Sequence, residues 1–280
     1  MVLATSCFAC LDTLSKVLVA HYPAQAIVWL RYLLQTLVMG AIFLPRMGAR
    51  LVRTGAPGLQ LLRGLFLVAA SIVFVVALSH MQLAEAATIV FLAPVLVALA
   101  GGPLLGERVP VATWWALGGG FTGVLLIMRP GGASFSWAYL LPLFCAFCFA
   151  GYQLLTRKLA AREDPITTLF YPGFIACLAI PAAFPGSALE VPSGVAHGAM
   201  LAAIGVLGGV GHFLLIRAHA LAPATLLAPF GYAQLVVVLV LGWLVFGQLP
   251  DALGFGGMAL VAASGVVVIL GSRRRTHGNT

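Results

Sequence analysis

The chain has 280 residues, of which 62% are hydrophobic and 8% charged, with a formal net charge of +8 and a mean hydropathy of +1.09. Soluble chains carry roughly 25% charged residues, so there is too little polar surface here to coat a water-soluble particle, and lipid must cover the outside. The basic residues sit in short gaps between apolar runs rather than along one soluble face, which argues against nucleic-acid binding and fits orientation in a membrane.

The first ten residues lack a basic leader region and a small-residue cleavage site, so a retained span is expected there and not a cleaved signal. A bilayer core about 30 Å thick needs about 20 apolar residues per helix. Runs bounded by Pro, Gly and charges predict ten such spans: residues 1–20, 24–44, 59–79, 84–105, 111–128, 137–156, 166–184, 196–217, 222–246 and 252–271. The runs are continuous, whereas barrel strands would alternate polar and apolar residues, so the fold class expected is an all-α integral membrane protein.

Charge placement tests that count. The gap between spans 2 and 3 carries Arg46, Arg50, Arg53 and Arg63, the gap between 6 and 7 carries Arg157, Lys158 and Arg162, and the tail carries Arg273, Arg274 and Arg275. Ten spans bring all three clusters to one face and leave Arg129, Glu85, Glu190 and Asp251 on the other. The positive-inside rule then puts both termini in the cytoplasm. Nine or eleven spans would scatter the clusters over both faces.

The chain also repeats itself at an offset of about 140 residues. Ser15-Lys16-Val17-Leu18 resembles Thr156-Arg157-Lys158-Leu159, and Leu83-Ala84-Glu85-Ala86 resembles Leu221-Ala222-Pro223-Ala224. Leu105-Gly106-Glu107 resembles Phe246-Gly247-Gln248, and the run 123–127 resembles 265–269. The shared order carries the inference, since each pair alone matches by chance. Five spans are an odd number, so a second copy enters from the other face. The expectation is a 5+5 inverted repeat, with residues 1–130 and 131–280 as its halves, able to expose a midplane site to alternate sides.

Polar groups at bilayer depth are costly and face a cavity or a partner. Asp12 lies mid-span with Lys16 one turn later, a spacing that serves either an internal ion pair or a cavity role. Arg31 can pair with Asp12, clamp a substrate carboxylate, or snorkel to the interface. Trp29, Tyr32 and Gln35 share its span. Tyr152, Gln153 and Thr156 end span 6, and Gln153 matches Asp12 in the repeat register. His212 lies deep in a Gly-rich run, either as a hydrogen-bonded core residue or as a proton-sensitive group. Tyr232 and Gln234 follow Pro229; aromatics enclose organic solutes and amides orient them, and both also fill helix interfaces. Pro94 and Pro229 each remove a helix hydrogen bond and are candidate hinges. The glycine groups around 118–123, 205–209 and 254–257 provide small helix faces for close packing.

The five cysteines all fall in apolar runs, and Cys7-x-x-Cys10 with Cys145-x-x-Cys148 reads as small apolar packing rather than a metal site. No P-loop, zinc-protease or nucleophile-elbow motif occurs. No catalytic residue, metal or cofactor is therefore expected, and the chain is not expected to be an enzyme.

The sequence resembles the drug/metabolite transporter superfamily, in its ten-helix EamA-type branch. The resemblance rests on Asp12-x-x-x-Lys16, Tyr22-Pro23 and Trp29-x-Arg31-Tyr32, and on Pro94 followed by Leu105-Gly106-Glu107. In the second half it rests on Gly211-His212, Leu226-Leu227-Ala228-Pro229-Phe230-x-Tyr232-x-Gln234 and Phe246-Gly247-Gln248-Leu249-Pro250-Asp251. Gln248 departs from the family, which often has an acid there. The resemblance implies a central cavity lined by spans 1–4 and 6–9, with spans 5 and 10 peripheral, and export of metabolites, amino acids being a frequent class. The function expected is alternating-access export of amino acids or similar small metabolites across a bacterial inner membrane. The substrate-binding candidates are Asp12, Trp29, Arg31, Tyr32, Gln35, Tyr152, Gln153, His212, Tyr232 and Gln234. The alternatives are export of cationic drugs or cofactor-like metabolites with Asp12 as counter-charge, a non-transport membrane enzyme, and a passive channel. The partners expected are a small-molecule solute and the bilayer, with no nucleic acid; oligomeric state is not legible, because lipid-facing and partner-facing apolar faces look alike.

Overall fold

The computed structural model describes residues 1–105, 111–130, 136–159, 163–186, 194–221 and 230–276. Among them the chain is helical without strands: α1 Val2–Leu18, α2 Ala24–Met47, α3 Pro57–Leu78, α4 Leu83–Val90, α5 Ala93–Leu105, α6 Val111–Met128, α7 Leu140–Leu159, α8 Pro165–Ala183, α9 Val195–Leu221, α10 Ala233–Phe246 and α11 Ala252–Thr276. Short 3-10 turns at Gly48–Leu51 and Trp137–Tyr139 extend α2 and precede α7. Among the described residues five stretches are long and apolar enough to cross a bilayer: Ala24–Leu51, Pro57–Leu78, Trp137–Leu159, Pro165–Ala183 and Val195–Leu215. The outer faces suit lipid: Trp115, Leu178, Val236 and Leu244 are all large apolar residues more than half exposed. In water so broad an apolar surface would aggregate.

Local chemistry sets the ends. The Asp164 carboxylate accepts from the backbone N–H groups of Ile166 and Thr167 (2.8 and 3.3 Å), and Pro165 follows it at the first helical position of α8. Gly247 ends α10 at φ +62°, the left-handed conformation that glycine adopts without steric cost. At the α6–α11 end Arg129 pairs with Asp251, whose carboxylate also accepts from the Gly254 N–H at 2.9 Å. Those hydrogen bonds, Arg129's first, hold the Asp251 carboxyl below the usual carboxylate range.

The sequence expectation of one span over 84–105 differs from the structure. The helix breaks at Phe91-Leu92 into α4 and α5. Pro94 has no N–H to give the Val90 carbonyl, which accounts for the break. Span 9 was expected from residue 222. Pro229 and the rest of 222–229 lie outside the described residues, as do Glu107, Arg162 and Glu190.

Helix packing has a regular pattern. α1 packs on α9 and α10; α7 packs on α3 and on α4 and α5. α2 packs on α9, and α8 on α3. α2–α8, α4–α10 and α6–α11 are the other extensive contacts between the first and second halves of the sequence. Exchanging the two halves maps each of these pairs onto another or onto itself. The match extends to residues. A Cβ at Gly64 would press on Ile175, and one at Gly205 would meet Leu34 at 2.7 Å. Gly64 and Gly205, like Leu34 and Ile175, lie 141 residues apart. Where α6 crosses α11, Gly123 and Gly257 face each other, so the backbones touch as small residues allow.

α8 contains two internal prolines, and each leaves a carbonyl four residues earlier without its helical donor. Pro181 frees Cys177 O, and the Trp29 indole N–H donates to it at 3.2 Å. Pro172 frees Thr168 O, and Arg63 Nη1 donates to it at 2.6 Å. In hydrocarbon an unpaired carbonyl costs several kcal/mol, so these bonds stitch α2 and α3 to α8. Trp29→Phe should therefore cost about 1–2 kcal/mol of stability. The loss should be much smaller in a Pro181→Ala background, where residue 181 regains an N–H for Cys177. Thermal unfolding of the four-member cycle checks this coupling; equal losses in both backgrounds contradict it.

Candidate functional site

A cavity of about 310 Å³ lies at the centre of the bundle, with walls from α1–α5, α7, α9 and α10. That is the low end of the ~300–1,000 Å³ usual for small-molecule sites. Aromatic residues form much of its wall: Phe8, Phe74, Phe91 and Phe149 with Tyr32 and Tyr152. Polar groups are few and come from six helices: α1, α2, α3, α7, α9 and α10.

Asp12 on α1 faces the cavity, and its carboxylate accepts from the Gln234 amide of α10 at 3.2 Å. Lys16 is not its partner. The Lys16 ammonium instead donates to the Leu78 carbonyl at the end of α3 (3.1 Å) and to the Met81 carbonyl in the turn beyond it, and lies 5.3 Å from the Phe246 ring centroid. The ion-pair alternative for Asp12 and Lys16 is thus corrected: carbonyls orphaned at a helix end hold the lysine. Arg31 on α2 also lines the cavity, its guanidinium 4.5 Å from the Tyr32 ring centroid. Among the described residues neither Asp12 nor Arg31 makes a salt bridge, so the cavity holds two opposite charges that do not neutralise each other directly.

Tyr32 is buried, and its hydroxyl pairs with Ser71 Oγ at 2.8 Å. Gln35, one turn below Arg31, is buried with Oε1 3.4 Å from where a Cβ on Gly208 would stand, so the glycine leaves room for the amide. His212 donates from Nδ1 to the Gly208 carbonyl one turn earlier, at 2.8 Å. Since a carbonyl only accepts, the Nδ1–H tautomer follows, and Nε2 is left as an acceptor. Phe8 packs edge-on against the same ring, 5.0 Å between centroids. Gln153 lies beside Tyr152 on α7, and Pro94 on α5 completes the wall.

Two expected site residues stand elsewhere. Trp29 is committed to the Cys177 carbonyl. Tyr232 packs against Phe91 (5.2 Å between centroids) and beside Gly265, and it does not line the cavity. Both belong to helices whose other faces reach the cavity. Ser71 was missed, because a lone serine in an apolar run carries no sequence signal. Arg63 was assigned to the loop cluster between spans 2 and 3. In the structure it lies in α3 with 2% of its surface exposed. The cysteines are free; Cys145 lines the cavity and donates to the Ala70 carbonyl at 3.3 Å.

The geometry predicts a contrast within one helix. In a cysteine-free chain, Ser71→Cys on the cavity wall should react with a small hydrophilic thiol reagent about tenfold faster or more than Ala77→Cys, whose site is 0% exposed. Similar rates at the two positions would contradict the cavity's assignment.

The sequence pattern of the EamA-like transporter family matches residues 1–129 and 136–271. The pseudopaline exporter CntI of Pseudomonas aeruginosa is 32% identical over 265 residues, covering 94% of this chain and 92% of that protein. A riboflavin transporter of Rhizobium johnstonii is 30% identical over 282 residues, covering 98% of this chain and 91% of that protein. An S-adenosylmethionine uptake transporter of Rickettsia bellii is 25% identical over 264 residues, covering 94% and 89%. One crystal structure superimposes with a TM-score of 0.63 at 23% identity, over 97% of this chain and 98% of the other, which shows a shared fold.

Proposed function

The chain belongs to the EamA-like transporter family, and from that premise we propose that it is a carrier of small metabolites, exporting amino acids or similar zwitterions across the bacterial inner membrane by alternating access. The observation that carries this reading is the pair Asp12 and Arg31, two opposite charges on the wall of one aromatic cavity with no salt bridge among the described residues. A zwitterion neutralises both: its carboxylate meets the guanidinium, which matches carboxylate geometry in two parallel bonds, and its ammonium meets Asp12. Gln35, Gln153 and Gln234 orient it, and the rings of Tyr32, Tyr152 and Phe149 exclude water. His212 Nε2 is the acceptor left for a proton.

Alternating access follows from a 5+5 inverted repeat, with residues 1–130 and 131–280 as halves and both termini in the cytoplasm. The exchange-symmetric helix pairing, the 141-residue spacing of matching glycine contacts, and the two stretches matched by the family pattern support that architecture. The break before Pro94 supplies a bend beside the cavity.

A second reading has its own observation. The Asp12 carboxylate is met among the described residues by a neutral amide, and a lipophilic cation would supply the missing charge. The two readings separate by mutation. For a zwitterion carrier, Arg31→Ala and Asp12→Asn each cut transport about tenfold or more at normal membrane insertion, one lost charged contact being about 1.5–3 kcal/mol. For a cation carrier, only Asp12→Asn does so. Full transport by well-inserted Arg31→Ala protein contradicts the zwitterion reading.

A further inference from the structure

Arg63 is a buried cation of the span-length helix α3, with no carboxylate partner among the described residues. Neutral oxygens surround it instead. Nε donates to Thr156 Oγ1 (2.6 Å), Nη1 to Thr168 O (2.6 Å) and Gln60 Oε1 (3.3 Å), and Nη2 to the Tyr152 hydroxyl oxygen (3.1 Å). The guanidinium carbon lies 4.7 Å from the Tyr152 ring centroid, and Phe149 stacks on that ring at 5.7 Å. Thr156 in turn donates to the Tyr152 carbonyl at 2.7 Å. Tyr152 is thus held through its ring, its hydroxyl oxygen and its backbone, and it lines the cavity.

The direction of the Arg63–Tyr152 bond matters. A guanidinium only donates, so the tyrosine oxygen accepts and its own hydrogen is left for a second acceptor. No described residue takes that hydrogen. A hydroxyl that accepts from a cation is also a stronger donor, because hydrogen bonds in a chain polarise one another. The cavity therefore has one cation, Arg31, and one polarised neutral donor, the Tyr152 hydroxyl, against one carboxylate, Asp12.

We infer that Arg63 is a positioning residue that turns Tyr152 into a directed donor for an anionic oxygen of the solute, so that the cavity selects solutes with one ammonium and two carboxylates. Arg31 takes one carboxylate, Tyr152 the other, and Asp12 the ammonium. This rests on the carrier reading above and narrows its substrate class to amino dicarboxylates and amino acids bearing a second acidic group.

The test uses acid and amide partners of one shape: L-glutamate with L-glutamine, and L-aspartate with L-asparagine. Binding to the purified full chain is read by thermal stabilisation, and exchange by counterflow in proteoliposomes. The wild type should bind each acid about tenfold or more tighter than its amide. Tyr152→Phe keeps the ring on which Arg63 and Phe149 pack, and should abolish the preference, bringing the ratio of acid to amide affinity to about one. Arg63→Gln, wherever it retains the wild-type melting temperature within a few degrees, should do the same; a merely structural role would weaken acid and amide alike. Equal binding of acid and amide by the wild type, or discrimination that survives Tyr152→Phe, overturns the inference and leaves the carrier reading standing. Exchange of neutral amino acids with no binding of either acid does so too. Failure of every amino acid to bind or exchange overturns both.

Discussion

Hydrocarbon offers no hydrogen bonds, so each backbone group that a helix leaves unpaired at bilayer depth must find its partner in the protein. Much of the polar chemistry in this bundle answers that demand. Pro172 and Pro181 each free a carbonyl of α8, and side chains of α3 and α2 reach across to take them. The end of α3 and the turn beyond it leave carbonyls open, and Lys16 of α1 takes them. The polar residues inside the bundle therefore divide into two sets. One set closes backbone accounts and ties helices together. The other, with Asp12 and Arg31 at its head, faces a cavity without a salt-bridge partner among the described residues.

The same stitches join the two halves of the chain. Trp29 and Arg63 belong to the first half, and both orphaned carbonyls belong to the second. Packing between the halves is close where glycine permits it, as Gly205 does beneath Leu34 and Gly64 beneath Ile175. Tyr152 belongs to both sets: it lines the cavity, and its hydroxyl oxygen accepts from Arg63.

Apolar runs made the helices legible, because in a membrane hydrophobicity and length decide a span. The break inside 84–105 was announced by Pro94, although the run on both sides stays apolar. Asp12, Arg31, Gln35, Gln153, His212 and Gln234 line one cavity because polar groups in lipid-depth helices turn inward, and that much follows from composition. Which inward face each residue takes does not. Trp29 sits two residues from Arg31 and so points elsewhere on the helix; its partner was hidden in Pro181, some 150 residues away in sequence. Tyr232 likewise lies two residues from Gln234. Arg63 was misplaced because an arginine near a basic loop reads as an interfacial charge, and only the position of Pro172 hints that an open carbonyl awaits it. Ser71 could not be singled out at all, since its importance comes from Tyr32, which tertiary packing brings to it.

The central claim is that the cavity between Asp12 and Arg31 carries small zwitterions through the membrane. Counterflow tests it most directly, with the wild-type chain in proteoliposomes preloaded in turn with each amino acid. The account predicts saturable exchange for a subset of them. Folded protein that exchanges none, while exchanging a lipophilic cation, would contradict it and leave Asp12 alone as the charge that the cavity presents to its solute.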